Sequence, residues 1–399
     1  MRPFLSWLAQ TVAVVALNLR NLTQRLDSSL VSLVGVAGVV MVFVAVLSIA
    51  EGFRATLTGT ADPETVVILR SGAQSELTSV LRREEARIVA EAPGIRRSAR
   101  GPLVSAELLV VADVARRSNG SEANVPFRGV EAAAFELRPK VRIVQGRPFR
   151  PGHKEIVVGR AAAAEFAGLD PGAVLRWGSN EWTVVGIFAA EGSVYESEAW
   201  TDVNVLQPAY NRGDSYQSVS VKLTSSEAFQ ELEDFLTTDP RLRVKAVRET
   251  EYYAEQSRLL YRIITGFGGI IAGLMSIGAV FGALNTMYSA VSARTREIAT
   301  LRALGFPGGA ILLSVLVESL CLALAGGALG GAVAYVLFNG TKAATLNWQS
   351  FSQVAFAFAV TPGLLVRGLS FALGVGLLGG LFPAIRAMRL PIATALREI

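Results

Sequence analysis

The residues best placed to do chemistry lie in one run, Arg294-Thr295-Arg296-Glu297-Ile298-Ala299-Thr300-Leu301-Arg302-Ala303-Leu304-Gly305. Its chemistry is charged grip rather than catalysis. Ile298, Leu301 and Leu304 recur at helical spacing, which predicts a short amphipathic helix offering Arg294, Arg296, Glu297 and Arg302 to a cytosolic partner. Glu318 is the single ionised group in the apolar stretch that follows. A carboxylate there reads in two ways: it senses a conformation or a partner, or it is hydrogen-bonded inside a helix bundle. Arg386, Arg389 and Arg397 close the chain, available to the same partner or to anionic lipid headgroups.

Bond-making chemistry is poorly provided for. One cysteine, Cys321, and one histidine, His153, allow neither an internal disulfide nor a His/Cys metal site. No GxxxxGK[ST] loop, no HExxH, no plausible Ser/His/Asp set and no run of paired intramembrane carboxylates occurs. The expectation is a non-catalytic chain with no cofactor or metal of its own, driven by energy from elsewhere.

The elements that must position these residues are mostly apolar. Ser28–Ala50 and Ile263–Ala293 carry no charge, and Ala303–Thr341 and Gly368–Ile385 carry only Glu318. Each is long enough to span a ~30 Å hydrocarbon core at 1.5 Å rise per residue. A 51% hydrophobic chain with net charge +5 could suggest nucleic acid, but its arginines mark topology instead. Arg2, Arg20 and Arg25 precede the first span, Arg294, Arg296 and Arg302 separate the second from the third, and Arg386, Arg389 and Arg397 follow the fourth. The positive-inside rule puts all three groups in the cytoplasm and the polar insert outside. Val354–Val366 is rejected as a fifth span because it is short, contains Pro362 and would export the arginine-rich tail. The first span lacks a small-residue cleavage site and is expected to be retained as an anchor.

The expected order is a cytoplasmic amphipathic helix (1–27), with Leu8, Val12, Val15, Leu19, Leu22 and Leu26 on one face; a span (28–53); an extracytoplasmic domain (54–262); a span (263–293); a cytoplasmic coupling segment (294–307); a span (308–341); an outer loop (342–363); a span (364–387); and a tail (388–399). The fold class is thus a membrane protein, α-helical with four transmembrane helices, carrying an α+β extracytoplasmic domain. Within that domain two βαβ-like units, at 66–111 and 219–247, flank a glycine- and proline-punctuated β-rich lobe at about 127–200. Trp177, Trp182, Trp200 and Tyr195 read equally as core or as contact residues. The segment 250–262 is helical in pattern and runs without a breaker into the second span.

The coupling run and the span bearing Glu318 resemble the coupling helix and third span of MacB/FtsX-type (type VII) ABC transporter permeases. LNLRNLTQRLDSSLVSLVGVAGV leading to Glu51-Gly52-Phe53 resembles that family's first span, and Pro383–Arg397 its closing motif. GRPFRPG, EIVVGRAAAAEF and WTVVGIF are similar in pattern to its periplasmic domain, whose lobes are known as Porter and Sabre. The resemblance implies a permease of the inner membrane that pairs with a second permease chain, identical or not. It docks a separate ATPase, which holds the ATP and Mg, and works by mechanotransmission. Efflux with a periplasmic adaptor and outer-membrane channel, or export of a lipid or lipoprotein, would follow. An FtsX-like signalling subunit that activates a periplasmic cell-wall hydrolase is the alternative.

Overall fold

The computed structural model describes residues 10–16, 26–59, 61–177, 179–347 and 352–392. In chain order its principal helices are α1 (Leu26–Thr58), α2 (Arg83–Ala90), α3 (Ala228–Thr238), α4 (Glu249–Ala293), α5 (Thr295–Ala303), α6 (Gly308–Phe338) and α7 (Pro362–Met388). The principal strands are β1 (Thr65–Arg70), β2 (Val104–Ala115), β3 (Glu122–Val130), β4 (Arg142–Gly146), β5 (Glu155–Gly159), β6 (Val174–Trp177), β7 (Asn180–Ala189), β8 (Ala199–Asp202), β9 (Ser218–Lys222), β10 (Val244–Arg248), β11 (Lys342–Asn347) and β12 (Ser352–Ala357). They divide into a helical unit (1–51, 262–341, 358–399) and a sheet unit (52–261, 342–357).

In the helical unit, α1, α4, α6 and α7 are each long and apolar enough to cross a membrane. At 45 residues, α4 is about 68 Å long, so a bilayer-crossing stretch uses less than half of it. It begins at Glu249, ahead of the span itself, because the helical pattern read over 250–262 runs unbroken into it, as expected. α7 starts earlier than the expected 364: Pro362 supplies a preset φ at its first turn, and the Thr361 side chain accepts from the Leu364 amide at 3.3 Å. Glycines let α6 sit close to its neighbours. A Cβ on Gly330 would meet the Ala37 carbonyl of α1, and one on Gly327 would meet Ala372 of α7. By contrast, Gly269, Gly273, Gly278 and Gly282 of α4 have open space around them. The expected N-terminal stripe is described only between residues 10 and 16, where Thr11 and Val14 are buried and Val12 is exposed. The stripe there is therefore offset from the one read in the sequence, and Leu8, Leu19 and Leu22 lie outside the described residues.

The sheet unit carries a mixed ten-stranded sheet of order β10-β1-β9-β2-β3-β8-β5-β7-β4, with β6 pairing β7. The two βαβ-like segments interleave. β9 lies between β1 and β2 and is antiparallel to both, while β1 lies between β9 and β10. The expected lobe at 127–200 is not a separate body. Its boundary falls inside β3, which pairs with β2 along eight residues from Leu108↔Gly129 to Ala115↔Glu122, and one apolar core runs from Val66 through Phe127, Trp182 and Val203 to Leu232 and Val244. Two lobes survive only as the two halves of this path. The expected outer loop is instead largely the hairpin β11–β12, paired from Lys342↔Ala357 to Asn347↔Ser352, and Ala355 N donates to Ser197 Oγ at 3.1 Å.

Candidate functional site

The coupling run forms α5, and the turn after it closes at Gly305 with φ +93, a left-handed conformation suited to glycine. Burial sorts its side chains differently from the expected amphipathic stripe. Ile298 is buried with Met287, Val291, Ile311, Val315 and Ala384, and Leu301 is half-buried. Leu304, read as part of that stripe, is 72% exposed because it caps the helix rather than continuing it. Arg294, read as free for a partner, is buried: its guanidinium bonds the Glu318 carboxylate at 2.5 Å and the Ala290 carbonyl at 3.3 Å. Arg302 likewise turns inward to the Met388 carbonyl at the end of α7. Arg296 and Glu297 are exposed, as are Thr300 and Leu304. Arg296, Thr300 and Leu304 stand four apart and so share a face.

Glu318 thus belongs to an internal ion pair. At 6% exposure beside an Arg294 at 4%, it balances the charge that would otherwise be stranded where α4 gives way to α5. Cys321, one turn further along α6, is half-buried. In the tail, Arg386 lies over the Tyr288 ring at 5.5 Å and Arg389 is exposed. Arg397 lies outside the described residues.

A second constellation, which sequence reasoning missed, occupies the middle of the ten-stranded sheet. Arg128 on β3 sends all five guanidinium N–H bonds to carboxylates: two to Glu198 at 2.8 Å, two to Glu76 at 2.7 and 3.0 Å, and one to Glu107 at 2.9 Å. Arg138 adds a bidentate pair to Glu107 and a bond to Ser220, and its guanidinium lies 4.9 Å from the Tyr195 ring centre. All five charged residues are buried. Burial alone would lower both guanidinium pKa values, but the Glu198 and Glu76 carboxylates raise that of Arg128, and Glu107 does so for Arg138. Burial would likewise raise the Glu76 carboxyl, and the adjacent Arg128 charge holds it below its ordinary value. The sequence carried a signal for this cluster: Glu107 and Arg128 interrupt otherwise apolar strands in SAELLVV and VPFRGV. Tyr195, Trp182 and Trp200 are core residues, with Trp200 Nε1 donating to Glu198 at 2.7 Å, and Trp177 is partly buried against that core.

The hub holds the start of α4. Glu249 Oε1 accepts from the Tyr195 hydroxyl at 2.6 Å and its Oε2 from the Asp62 amide at 2.9 Å, while the Tyr252 hydroxyl accepts from the Glu76 amide at 3.2 Å. A buried carboxylate held by two such donors is a rigid joint. Together these groups fix the first turn of α4 against the sheet. They place no acid, base or nucleophile against an open substrate cavity, since the space lined by Glu76, Arg128, Glu198 and Tyr252 is only ≈ 20 Å³.

The family model described as MacB-like periplasmic core domain matches residues 29–238, and that described as FtsX-like permease C-terminal matches 269–392. The chain is 24% identical over 98% of its length to a macrolide export ATP-binding/permease protein MacB of Hyphomonas neptunium, covering 62% of that protein. It is 29% identical over half of its length to an uncharacterised ABC transporter permease, YknZ, of Bacillus subtilis, covering 49% of that relative. The chain therefore spans less than two thirds of each of these relatives. Among solved structures, the periplasmic region of MacB from Actinobacillus actinomycetemcomitans aligns with 48% of this chain and 92% of its own at 14% identity and a TM-score of 0.38.

Proposed function

The chain belongs to the family of permeases that join a MacB-like periplasmic core domain to an FtsX-like permease C-terminal region, and from that premise we propose that it is the membrane subunit of an ABC transporter working by mechanotransmission. In this reading ATP hydrolysis belongs to a partner ATPase. The partner docks on the exposed face of α5, at Arg296, Thr300 and Leu304, in the cytoplasm of a cell whose inner membrane the four long helices cross. The sheet unit then lies in the periplasm, where it serves efflux or the export of a lipid or lipoprotein.

The observation that carries this reading is the single helix α4. Its first residue, Glu249, is clamped by Tyr195 and Asp62, and Arg294, the residue that follows its last, is locked to Glu318. We take α4 as the element along which a push would pass. Within the helical unit α4 also exposes Ile263, Phe267, Ile270, Leu274, Ile277 and Phe281, spaced four and three apart as in a coiled-coil seam, and a second permease chain seats there.

The test is co-purification of the full chain in mild detergent from cells that express it. Arg296→Glu with Leu304→Glu should reduce the recovered ATPase at least about tenfold, the effect of ~1.4 kcal/mol at an interface. Undiminished recovery would remove α5 as the docking element. Leu274→Cys in a Cys321→Ala background should give a disulfide-linked pair on mild oxidation, and monomer alone would refute the seam.

A further inference from the structure

The sheet unit carries a charged groove that none of the coupling residues touches. Arg70, at the end of β1, Arg82 and Arg87, at and on α2, and Arg241 and Arg243, before β10, line an open groove of ≈ 570 Å³ together with Glu84, Glu85 and Glu91. Their convergence follows from the strand pairing. Arg70 lies opposite Val244, and Ser71 N donates to the Arg243 carbonyl at 2.8 Å. Because β1 and β10 run antiparallel, with Val66 opposite Arg248, the groove is at the end of this strand pair remote from Asp62 and Glu249.

All five arginines are exposed. Arg241 is paired, to Asp239 at 2.6 Å, whereas Arg70, Arg82, Arg87 and Arg243 form no ion pair among the described residues although three glutamates line the same groove. Glu85 is used instead to cap α2, accepting from the Arg82 amide at 2.7 Å. Four unpaired guanidinium groups around one concavity repel one another and favour whatever brings opposite charge. Guanidinium forks match carboxylates in bidentate geometry, and arginine is enriched at protein interfaces. Glu84 and Glu91, standing among them, can meet basic residues interspersed in an acidic polypeptide, a pairing that a polyphosphate cannot make.

We propose that this groove is a docking surface for an acidic segment of a partner protein, read by Arg70, Arg82, Arg87 and Arg243. The surface is separate from the α5 face, so it stands or falls independently of ATPase docking. The probe is a fluorescein-labelled oligoglutamate of about twenty residues, titrated against the full chain in non-ionic detergent and followed by anisotropy. Arg70→Gln/Arg87→Gln/Arg243→Gln should weaken binding at least tenfold, while the charge-matched Arg100→Gln/Arg150→Gln/Arg176→Gln should change it less than threefold. Should the first variant lose its fold, Arg87→Gln alone should still weaken binding about threefold. Equal losses in the two triple variants, or no loss in the groove variant, would overturn the proposal. So would tighter binding of inorganic polyphosphate or of anionic phospholipid vesicles than of the oligoglutamate, since the occupant would then be a phosphate or a lipid surface.

Discussion

Replacing Arg128 by methionine keeps most of the side-chain volume and deletes the group that bonds Glu76, Glu107 and Glu198 together. Each carboxylate retains another partner: Ser218 Oγ at 2.6 Å for Glu76, Arg138 for Glu107 and Trp200 for Glu198. Three buried anions then face one buried arginine. Removing one member of a buried ion pair costs about 3–5 kcal/mol, against a total of about 5–15 kcal/mol for a domain. With a urea dependence near 2 kcal/mol per molar, the unfolding midpoint should fall by about 2 M. Tryptophan fluorescence of the full chain in detergent reads it, because Trp177, Trp182 and Trp200 all lie in the sheet unit. The pH dependence gives the sharper check. In the wild type the Glu76 carboxyl is held below its ordinary value, so its contribution is present above the unfolded pKa and is lost as pH falls through the lower folded one. Without Arg128 only the Ser218 hydrogen bond and the more distant Arg138 charge still oppose the burial that raises this pKa, and the sign reverses: the variant is penalised at neutral pH and relieved as the carboxyl protonates. The gap between variant and wild type should therefore narrow from pH 7 to pH 5. An unchanged midpoint, or a gap that widens on acidification, would refute the reasoning.

A double-mutant cycle on Arg294→Met and Glu318→Leu should show each single change lowering the melting temperature in detergent and the ATPase rate of the assembled complex, with the double variant less damaged than the sum by about 1–3 kcal/mol; strict additivity would mean the two do not act as a pair. Gly330→Ala should destabilise by about 1–3 kcal/mol because its Cβ meets backbone of Ala37, whereas Gly278→Ala, with open space around it, should stabilise α4 by about 0.5–1 kcal/mol, and thermal melts compare the two directly. Glu249→Ala frees the Tyr195 hydroxyl and the Asp62 amide, and at about 1.5–3 kcal/mol for bonds to a charged group it should raise amide exchange in residues 249–257 at least about tenfold. Exchange at wild-type rates would show that the clamp does not hold the helix.

Much of the architecture was legible in the sequence, because bilayer-length apolar runs and the strand period are local signals. The four long helices, the helix at the coupling run and the strands that open the 66–111 and 219–247 units all follow from composition and spacing within a dozen residues. The family resemblance rested on the same stretches. What escaped was every property that depends on a partner far along the chain. The 127–200 lobe looked separate because glycines and prolines punctuate it, but β2–β3 pairing and one shared core join it to the rest. Arg294 and Leu304 were read from helical spacing alone; whether an arginine faces water or a carboxylate 24 residues away is decided by which helices meet there.

The chain's own order of residues therefore determined four helices long and apolar enough to cross a membrane and a mixed α and β domain between the first two. Tertiary structure alone decided which charges are available. Arg128, Glu76, Glu107 and Glu198 come from segments up to 122 residues apart and find one another only when the strands align. A period in sequence can say which side of a helix or strand is apolar. It carries no information about which charged side chain will be waiting on the neighbouring element, and burial makes that pairing decisive because an unpaired ion costs far more there than at a surface.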